Sequence, residues 1–211
     1  MIVTRVEEFT KAKNKVYIDE QFAFVLYKGE LRLYHVREGE ELKDEDYRRI
    51  MEEVLLKRAK LRSMNLLQGH DYTGKQLQDK LRRDLYPEQI VAQAVAYVAS
   101  FRYIDDVRYA LSYIRCHQEN KSRRIIEMDL SRKGVEKDDI DRAWTQWAAE
   151  GNELDEAAQI RTLLERKRFD ARQTDEKECR KIYAFLMRRG FSTENIRKAL
   201  KDCQHDEFYL T

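Results

Sequence analysis

The sequence predicts a mainly α-helical protein, with three tandem three-helix repeats in an elongated, curved body and a small β-hairpin or β-meander at the N-terminus. The first observation is an internal repeat: residues 130–144 and 186–200 share their apolar positions, a basic pair and a glycine, 56 residues apart. The second is composition. Charged residues make up 38% of the chain, which contains only seven Gly and one Pro, as is typical of amphipathic helices with solvated faces.

Residues 1–43 differ from the rest and form a β-rich segment. The stretches 16–18 and 22–27 are rich in β-branched and aromatic residues, and a similar stretch, 31–36, follows Lys28-Gly29-Glu30. Two such stretches around a glycine-containing turn predict a β-hairpin, and residues 2–9 are a candidate further strand. Because so small a sheet cannot stand alone, we expect it to pack on the helices or on a partner.

Residues 44–101 form the first predicted repeat. Apolar residues at helical spacing predict a long helix from Glu45 to about Gln68. A shorter helix is predicted to start at Thr73, and Pro87 suits the first turn of a third.

Residues 102–150 form the second predicted repeat, with the same order of helices. Its first helix opens at Asp105-Asp106, its second runs from Ser122 to a stop at Gly134, and its third begins near Lys137.

Residues 151–211 form the third predicted repeat. It starts near Leu154, continues from Thr174 to a stop at Gly190, and closes with a helix from Ser192.

Gly134 and Gly190 each follow a basic pair and precede an apolar residue. This pattern predicts a helix C-terminus that ends in a left-handed residue. The first repeat has Asp84-Leu85 where the glycine would stand, so its turn is expected to differ.

The sequence offers little support for catalysis. Asp105 and Asp106 are the best carboxylate pair, but they have no third ligand or histidine nearby and suit a helix N-terminus better. The four histidines lack metal-binding spacing, and no phosphate-binding or nucleophile motif is present. We therefore expect no enzymatic activity, no cofactor and no metal, with a metal-dependent enzyme using the two aspartates as a competing hypothesis.

The three cysteines are widely spaced, which disfavours a disulfide framework or zinc site and favours buried reduced thiols. No apolar stretch reaches membrane-spanning length, and the first residues lack a secretory signal. A cytoplasmic protein without membrane contact is expected.

Basic pairs recur at the same helix edge of successive repeats. If the repeats stack, these pairs form a basic strip that suits a phosphate backbone or an acidic protein groove, although a solvated surface of mixed charge explains any one of them. The candidate partner-binding residues are Arg82, Arg83, Arg123, Arg124, Arg132, Lys133, Arg188 and Arg189.

Residues 104–110, Ile-Asp-Asp-Val-Arg-Tyr-Ala, resemble the signature of the RecX family, regulators of the RecA recombinase. Arg124-Ile125, Leu130 and residues 132–135, Arg-Lys-Gly-Val, continue the resemblance. The sequence departs from the family pattern at Lys121-Ser122, where members often have a glycine, and in the first repeat, which lacks the Lys-Gly stop.

The resemblance implies a non-enzymatic modulator of homologous recombination, DNA repair and the SOS response. Such a protein lies in the groove of the RecA–DNA filament and inhibits recombinase, ATPase and co-protease activities. The expected partner is the RecA filament, with single-stranded DNA as a second candidate, and a monomer is expected. The alternative is a helical-repeat module that binds DNA directly and acts without RecA.

Overall fold

The structure, a computed structural model, describes residues 1–170 and 175–200. The chain divides into two compact units, Met1–Asp105 and Asp106–Thr211. The predicted helix start at Thr174 lies outside the described residues, as do Cys203 and His205.

The N-terminal segment contains an antiparallel three-stranded meander in the order β1-β2-β3. The strands are β1 (Val3–Thr10), β2 (Lys13–Ile18) and β3 (Gln21–Tyr27). The small β-rich start and the strand near residues 2–9 are thereby confirmed. The turn between β2 and β3 is made by Asp19 and Glu20, whose φ angles of 48° and 67° are left-handed.

The predicted strand at residues 31–36 is wrong, because the chain forms helix α1 (Lys28–Leu33) there. The Glu30 carboxylate accepts a hydrogen bond of 2.8 Å from the Tyr27 backbone N–H and caps the helix. One helical turn then places Leu31 and Tyr34 against the core, whereas Leu33 is 69% exposed. A strand would have put Leu31 and Leu33 on the same face.

The first three-helix set follows the predicted order of long, short and medium helices. The long helix is continuous but contains a π-helical segment in its middle, and Thr73 caps the short helix by accepting a 3.1 Å hydrogen bond from the Gln76 backbone N–H. The elements are α2 (Asp44–Arg49), the π-helical segment (Ile50–Leu55), α3 (Leu56–Gly69), α4 (Gly74–Arg83) and α5 (Glu88–Ser100).

The second and third sets repeat this order within the second unit. Ser122 caps α7 and Ser192 caps α11, as their positions in the sequence predict. The helices are α6 (Asp106–His117), α7 (Arg123–Arg132), α8 (Lys137–Ala149), α9 (Glu156–Arg166), α10 (Glu176–Arg188) and α11 (Thr193–Ala199).

The short helix of each set ends in the same type of turn. Gly134 and Gly190 have φ angles of 84° and 82°, which confirms the predicted left-handed stops. In the first set Leu85 takes this position with φ 65°, and the Tyr86 N–H reaches back to the Leu81 carbonyl at 3.2 Å. The first set therefore keeps the turn although it lacks the glycine.

Three hydrophobic clusters fill the described chain. The first combines sheet residues such as Phe24 with helix residues such as Ile50 and Leu77, so the sheet packs on the first helix set as expected. The second belongs to α6–α8 and the third to α9–α11.

The second and third clusters are separate groups of buried residues, and hydrogen bonds from Ser122 and Arg189 link the two helix sets. Each helix set therefore has apolar packing of its own.

Cys116 is exposed, so its predicted burial is wrong: it lies in the last turn of α6, away from the buried stripe of Ala110 and Ile114. Among the described residues, none of the helices is both long and apolar enough to cross a membrane.

Candidate partner-binding site at the repeat junction

The second and third helix sets meet through the segment that links α6 to α7. The Ser122 backbone N–H donates a 2.9 Å hydrogen bond to the Arg189 carbonyl at the end of α10. We call the contact of residues 118–125 with α9 and the end of α10 the repeat junction. It brings the C-terminal end of α10 to the N-terminal end of α7.

Gly190 makes the closest approach at the repeat junction. A Cβ atom at this position would overlap with Ile125 Cγ1 and lie 2.5 Å from Ser122 Oγ. The glycine therefore serves two purposes, because its φ of 82° is left-handed and its missing side chain admits α7.

Arginine side chains from the third set secure the linking segment. Arg189 Nη1 donates to the Asn120 carbonyl at 2.6 Å, and the Arg189 guanidinium lies 4.5 Å from the centre of the Phe185 ring. Arg166 donates to Asn120 Oδ1 at 3.0 Å and to Glu119 Oε2 at 2.9 Å. Guanidinium groups suit this task because one side chain can hold several acceptors at once.

A polar cluster around Lys121 fixes the end of the linking segment between α6 and α7. Lys121 Nζ donates to Asp129 Oδ2 at 2.7 Å and to the Tyr113 hydroxyl at 3.1 Å, while that hydroxyl donates to Asp129 at 3.0 Å. The Tyr113 ring stacks on His117 with the two ring centres 3.9 Å apart. The cluster therefore orients the chain within the repeat junction, just before α7 begins.

The same cluster shifts the pKa values of its charged members. The hydrogen bond from Lys121 lowers the pKa of Asp129 and outweighs the opposing effect of burial. Partial burial works against the charge on Lys121, but its hydrogen bonds to Asp129 and Tyr113 prevail and raise its pKa. Both groups are therefore held in their charged forms at neutral pH.

Two of the eight predicted binding residues belong to the first unit. Arg82 is engaged by Glu88 at 2.7 and 3.0 Å and by Asp79 at 3.1 Å, and the hydrogen bond to Glu88 raises its pKa. Arg83 is exposed, and its Nε donates to the Asp79 carbonyl at 3.2 Å.

The other six predicted binding residues lie in the second unit, and they differ in whether their charge is already paired within the protein. Arg123 pairs with Glu127 at 2.6 Å, and Arg189 is committed to the repeat junction. Arg124 and Arg188 are exposed, and neither has an ion-pair partner in the part of the chain that the structure describes. A partner can therefore reach both guanidinium groups without displacing a carboxylate.

Arg132 and Lys133 stand at the other end of α7. Arg132 is 70% exposed and 3.9 Å from Asp129, and Lys133 Nζ lies 5.5 Å from the centre of the Tyr113 ring. At 1.5 Å per residue, the ends of α7 are separated by about 14 Å.

The backbone contact between Arg189 and Ser122 brings the end of α10 to the N-terminal end of α7, where Arg123 and Arg124 lie, whereas Arg132 and Lys133 stand at the other end of α7. The sequence repeat places the basic pairs at equivalent positions of successive helix sets. The observed contact is different, because it joins the end of α10 to the start of α7.

Sequence reasoning missed Asn120 and Gln159 in the repeat junction. Gln159 Nε2 donates to the Gln118 carbonyl, so α9 also contacts the linking segment. Polar residues in a short linker carry no periodic signal, so the sequence pattern does not identify them.

The carboxylate pair occupies the start of α6. The helix begins at Asp106, which puts Asp105 at the N-cap position, as the capping interpretation expects. Among the described residues, no group of three His, Cys, Asp or Glu side chains is placed to hold a metal ion.

Comparison with known proteins covers all three helix sets. Profiles described as the first, second and third three-helix domains of RecX match residues 59–97, 105–143 and 154–200. These ranges include α4 and most of α3 and α5, then α6, α7 and part of α8, and finally α9, α10 and α11.

Two relatives match over nearly the full chain. "Regulatory protein RecX" of Caldanaerobacter subterraneus subsp. tengcongensis is 30% identical, over 95% of this chain and 98% of the relative. "Regulatory protein RecX" of Clostridium acetobutylicum is 28% identical, over 95% of each chain.

A solved structure of similar fold leads to the same family. The structure described as "Crystal structure of regulatory protein RecX" is 25% identical, with a TM-score of 0.56 over 95% of this chain and 98% of that one. With the three domain matches and the full-length relatives, it confirms the resemblance seen in residues 104–135. The chain belongs to the RecX family of regulatory proteins.

Proposed function

We propose that this protein binds the RecA–DNA filament and inhibits its recombinase, ATPase and co-protease activities. The observation that carries the proposal is membership of the RecX regulatory family over all three three-helix domains. The protein acts by contact and not by catalysis, as a monomer in the cytoplasm.

The chemistry of the repeat junction supports a contact with an acidic surface. Arg124 and Arg188 are exposed arginines without a carboxylate partner in the described residues, and Arg123 and Arg189 lie beside them. Guanidinium groups bind carboxylates and phosphates in a bidentate manner, so the repeat junction suits either an acidic protein groove or a phosphate backbone.

Tandem domains also favour a polymeric partner. A chain with several copies of one fold can touch more than one protomer of a filament at once. The second contact is then intramolecular, so weak individual contacts combine into tight binding through effective concentration. Such a protein would act when it is scarce relative to the filament subunits.

The test is ATP hydrolysis by RecA on single-stranded DNA with substoichiometric amounts of this protein. We expect hydrolysis to slow and the protein to co-sediment with the filament. Unchanged hydrolysis at micromolar protein, with no co-sedimentation, would reject the proposal.

Direct DNA binding without RecA is the second candidate, favoured by Arg124 and Arg188, which are exposed and have no carboxylate partner among the described residues. It requires affinity for bare DNA that falls steeply with salt, with a shallower slope after removal of both charges. Binding seen only when RecA is present would exclude it.

A further inference from the structure

The first unit contains a groove of about 450 Å³ that the filament proposal does not use. Its walls come from the sheet, from α3 and from the turn after α4, three parts of the chain that are distant in sequence. Phe9 and Tyr27 line it from the sheet, together with Lys13, and Arg83 and Asp84 line it from the end of α4.

The groove carries positive charge that its own carboxylates do not neutralise. Arg58 is paired with Glu30, and Arg62 Nε lies 2.8 Å from Asp84 Oδ2. Lys13 and Arg83 also line the groove, and neither has a carboxylate within ion-pair distance among the described residues. These two cations stand on different walls, one on the sheet and one at the end of α4.

Aromatic rings lie beside these cations. Phe9 is 47% exposed and Tyr27 is 39% exposed, although both belong to a sheet that packs on the helices. Lys13 Nζ lies 5.0 Å from the centre of the Tyr27 ring, so the ring already holds a cation against its face. Exposed aromatic rings beside such cations offer a flat face and a positive charge to the same ligand.

The Tyr86 side chain contributes a hydrogen-bond donor to the same groove. A tyrosine hydroxyl is protonated at neutral pH, and burial raises the pKa of this one further, to about 12. It can therefore donate to an anionic or carbonyl oxygen within the groove.

From these observations we infer that the groove binds single-stranded nucleic acid. The bases stack on the Phe9 and Tyr27 rings, and the phosphates are bound by Lys13 and Arg83. A base that takes the place of Lys13 over the Tyr27 ring releases that ammonium group to the adjacent phosphate. Interleaved aromatic rings and cations are the pattern by which proteins bind single strands without reading their sequence.

An acidic peptide is the competing ligand, since it would also satisfy Lys13 and Arg83. It would not need the flat faces of Phe9 and Tyr27. A duplex carries the same phosphates, but its bases are already stacked within the helix. A substitution that removes one of these rings but keeps Lys13 and Arg83 should therefore weaken the binding of a single strand. It should leave the binding of an acidic peptide or a duplex unchanged.

The experiment titrates the full chain, without recombinase, into a fluorescent oligo(dT) of about 12 nucleotides and measures anisotropy at two salt concentrations. Phe9→Leu removes a ring and Arg83→Gln removes a charge in the groove. The matched controls are Phe22→Leu, an exposed ring 40% accessible on the same sheet, and Arg48→Gln, an exposed arginine on α2, both outside the groove lining.

We expect each groove variant to weaken oligo(dT) binding at least fivefold and each control to change it less than twofold. A duplex of equal length should bind at least fivefold more weakly than the single strand. Equal effects in groove and control variants, or equal binding of duplex and single strand, would overturn the inference. So would displacement of oligo(dT) by polyglutamate together with unchanged binding by Phe9→Leu, because that result would identify an acidic peptide as the ligand.

Photocrosslinking gives an independent readout. Oligo(dT) that contains 5-iodouracil should form adducts on peptides carrying Phe9 or Tyr27, and adducts confined to other parts of the chain would contradict the inference. It does not rest on the filament proposal, because no recombinase is present. A protein that slows RecA but fails to bind oligo(dT) would refute the groove and leave the filament proposal intact.

Discussion

At the scale of single residues, Gly190 shows how much a local pattern can predict. The basic pair before it and the apolar residue after it predict the left-handed turn, which the φ angle of 82° confirms. The pattern does not reveal that Ser122 and Ile125 pack where a side chain would stand. Close approach depends on tertiary contact with a residue more than 60 positions away, and no local signal records it.

Two alanine substitutions separate the two reasons for a glycine at position 190, the left-handed φ angle and the close approach of Ser122 and Ile125. Gly151→Ala adds a Cβ at φ 84° with nothing within 4 Å, so only backbone strain of about 1 kcal/mol is expected. Gly190→Ala adds strain and overlap with α7, so a loss of about 3 kcal/mol is expected. Urea unfolding followed by far-UV circular dichroism measures both, and equal losses would show that Gly190 makes no close contact.

Asp129 gives a prediction that depends on pH. Its pKa is lower in the folded chain than the usual value of about 3.9, so its stabilising effect is complete above pH 4 and is lost as pH falls through the folded-state pKa. Asp129→Asn should therefore lower the free energy of unfolding by about 1 kcal/mol at pH 7 and by less at pH 3.

The control for this substitution is Asp141→Asn, which changes an exposed carboxylate on α8. Urea unfolding at both pH values should show little effect of the control. A loss for Asp129→Asn that is the same at pH 7 and pH 3 would contradict the role of the Lys121–Asp129 pair.

At the scale of elements, α1 is where prediction failed. Residues 31–36 alternate apolar and polar side chains well enough to suggest a strand, and the glycine before them suggests a hairpin. The decisive contacts are non-local. Glu30 caps the helix and pairs with Arg58 on α3, whose Nη1 also donates to the Val25 carbonyl at 3.3 Å. The local sequence pattern contains no information that Arg58 lies next to Glu30 in the folded chain.

Glu30→Ala should therefore destabilise the first unit by about 2 kcal/mol, because it removes a cap and leaves Arg58, only 22% exposed, without its carboxylate. Glu53→Ala, which breaks an exposed pair with Arg49, should cost less than about 0.5 kcal/mol. Far-UV circular dichroism in urea measures both. Similar small effects would show that Glu30 does not determine the helix.

The helices after residue 44 were predictable for physical reasons. Their apolar stripes follow the helical period, and Thr73, Ser122 and Ser192 stand at the caps where side-chain oxygens satisfy the first backbone N–H groups. Leu85 shows the limit of this reasoning. Leucine disfavours the left-handed conformation, yet Leu85 adopts it in the turn after α4. The packing of the flanking helices therefore outweighs the backbone strain at this one residue.

At the scale of the whole molecule, the three hydrophobic clusters and two compact units argue against a single cooperative transition. Both tryptophans, Trp144 and Trp147, belong to the second cluster. Their fluorescence therefore reports on α6–α8, while circular dichroism averages over the entire chain. We expect the urea transition seen by fluorescence to be narrower and to have a different midpoint. Coincident transitions would show that the units unfold together.

The candidate site was predictable only in part. The sequence identifies the basic pairs, because charge clusters are visible without a structure. It does not show that Arg82 is held by Glu88 and Asp79, or that Arg189 holds the Asn120 carbonyl. The structure leaves Arg124 and Arg188 available for a partner, since exposure and pairing depend on tertiary neighbours.

The most direct test of the proposed function measures the concentration of this protein that halves RecA ATP hydrolysis on single-stranded DNA. The double variant Arg124→Gln/Arg188→Gln removes two exposed charges at the repeat junction that have no carboxylate partner within residues 1–170 and 175–200. Its control, Lys137→Gln/Lys177→Gln, removes two exposed charges from α8 and α10, away from the residues that form the repeat junction. We predict that the junction variant needs at least fivefold more protein and the control less than twofold more. Equal potency of the two variants, or no inhibition by the unaltered protein, would contradict the account.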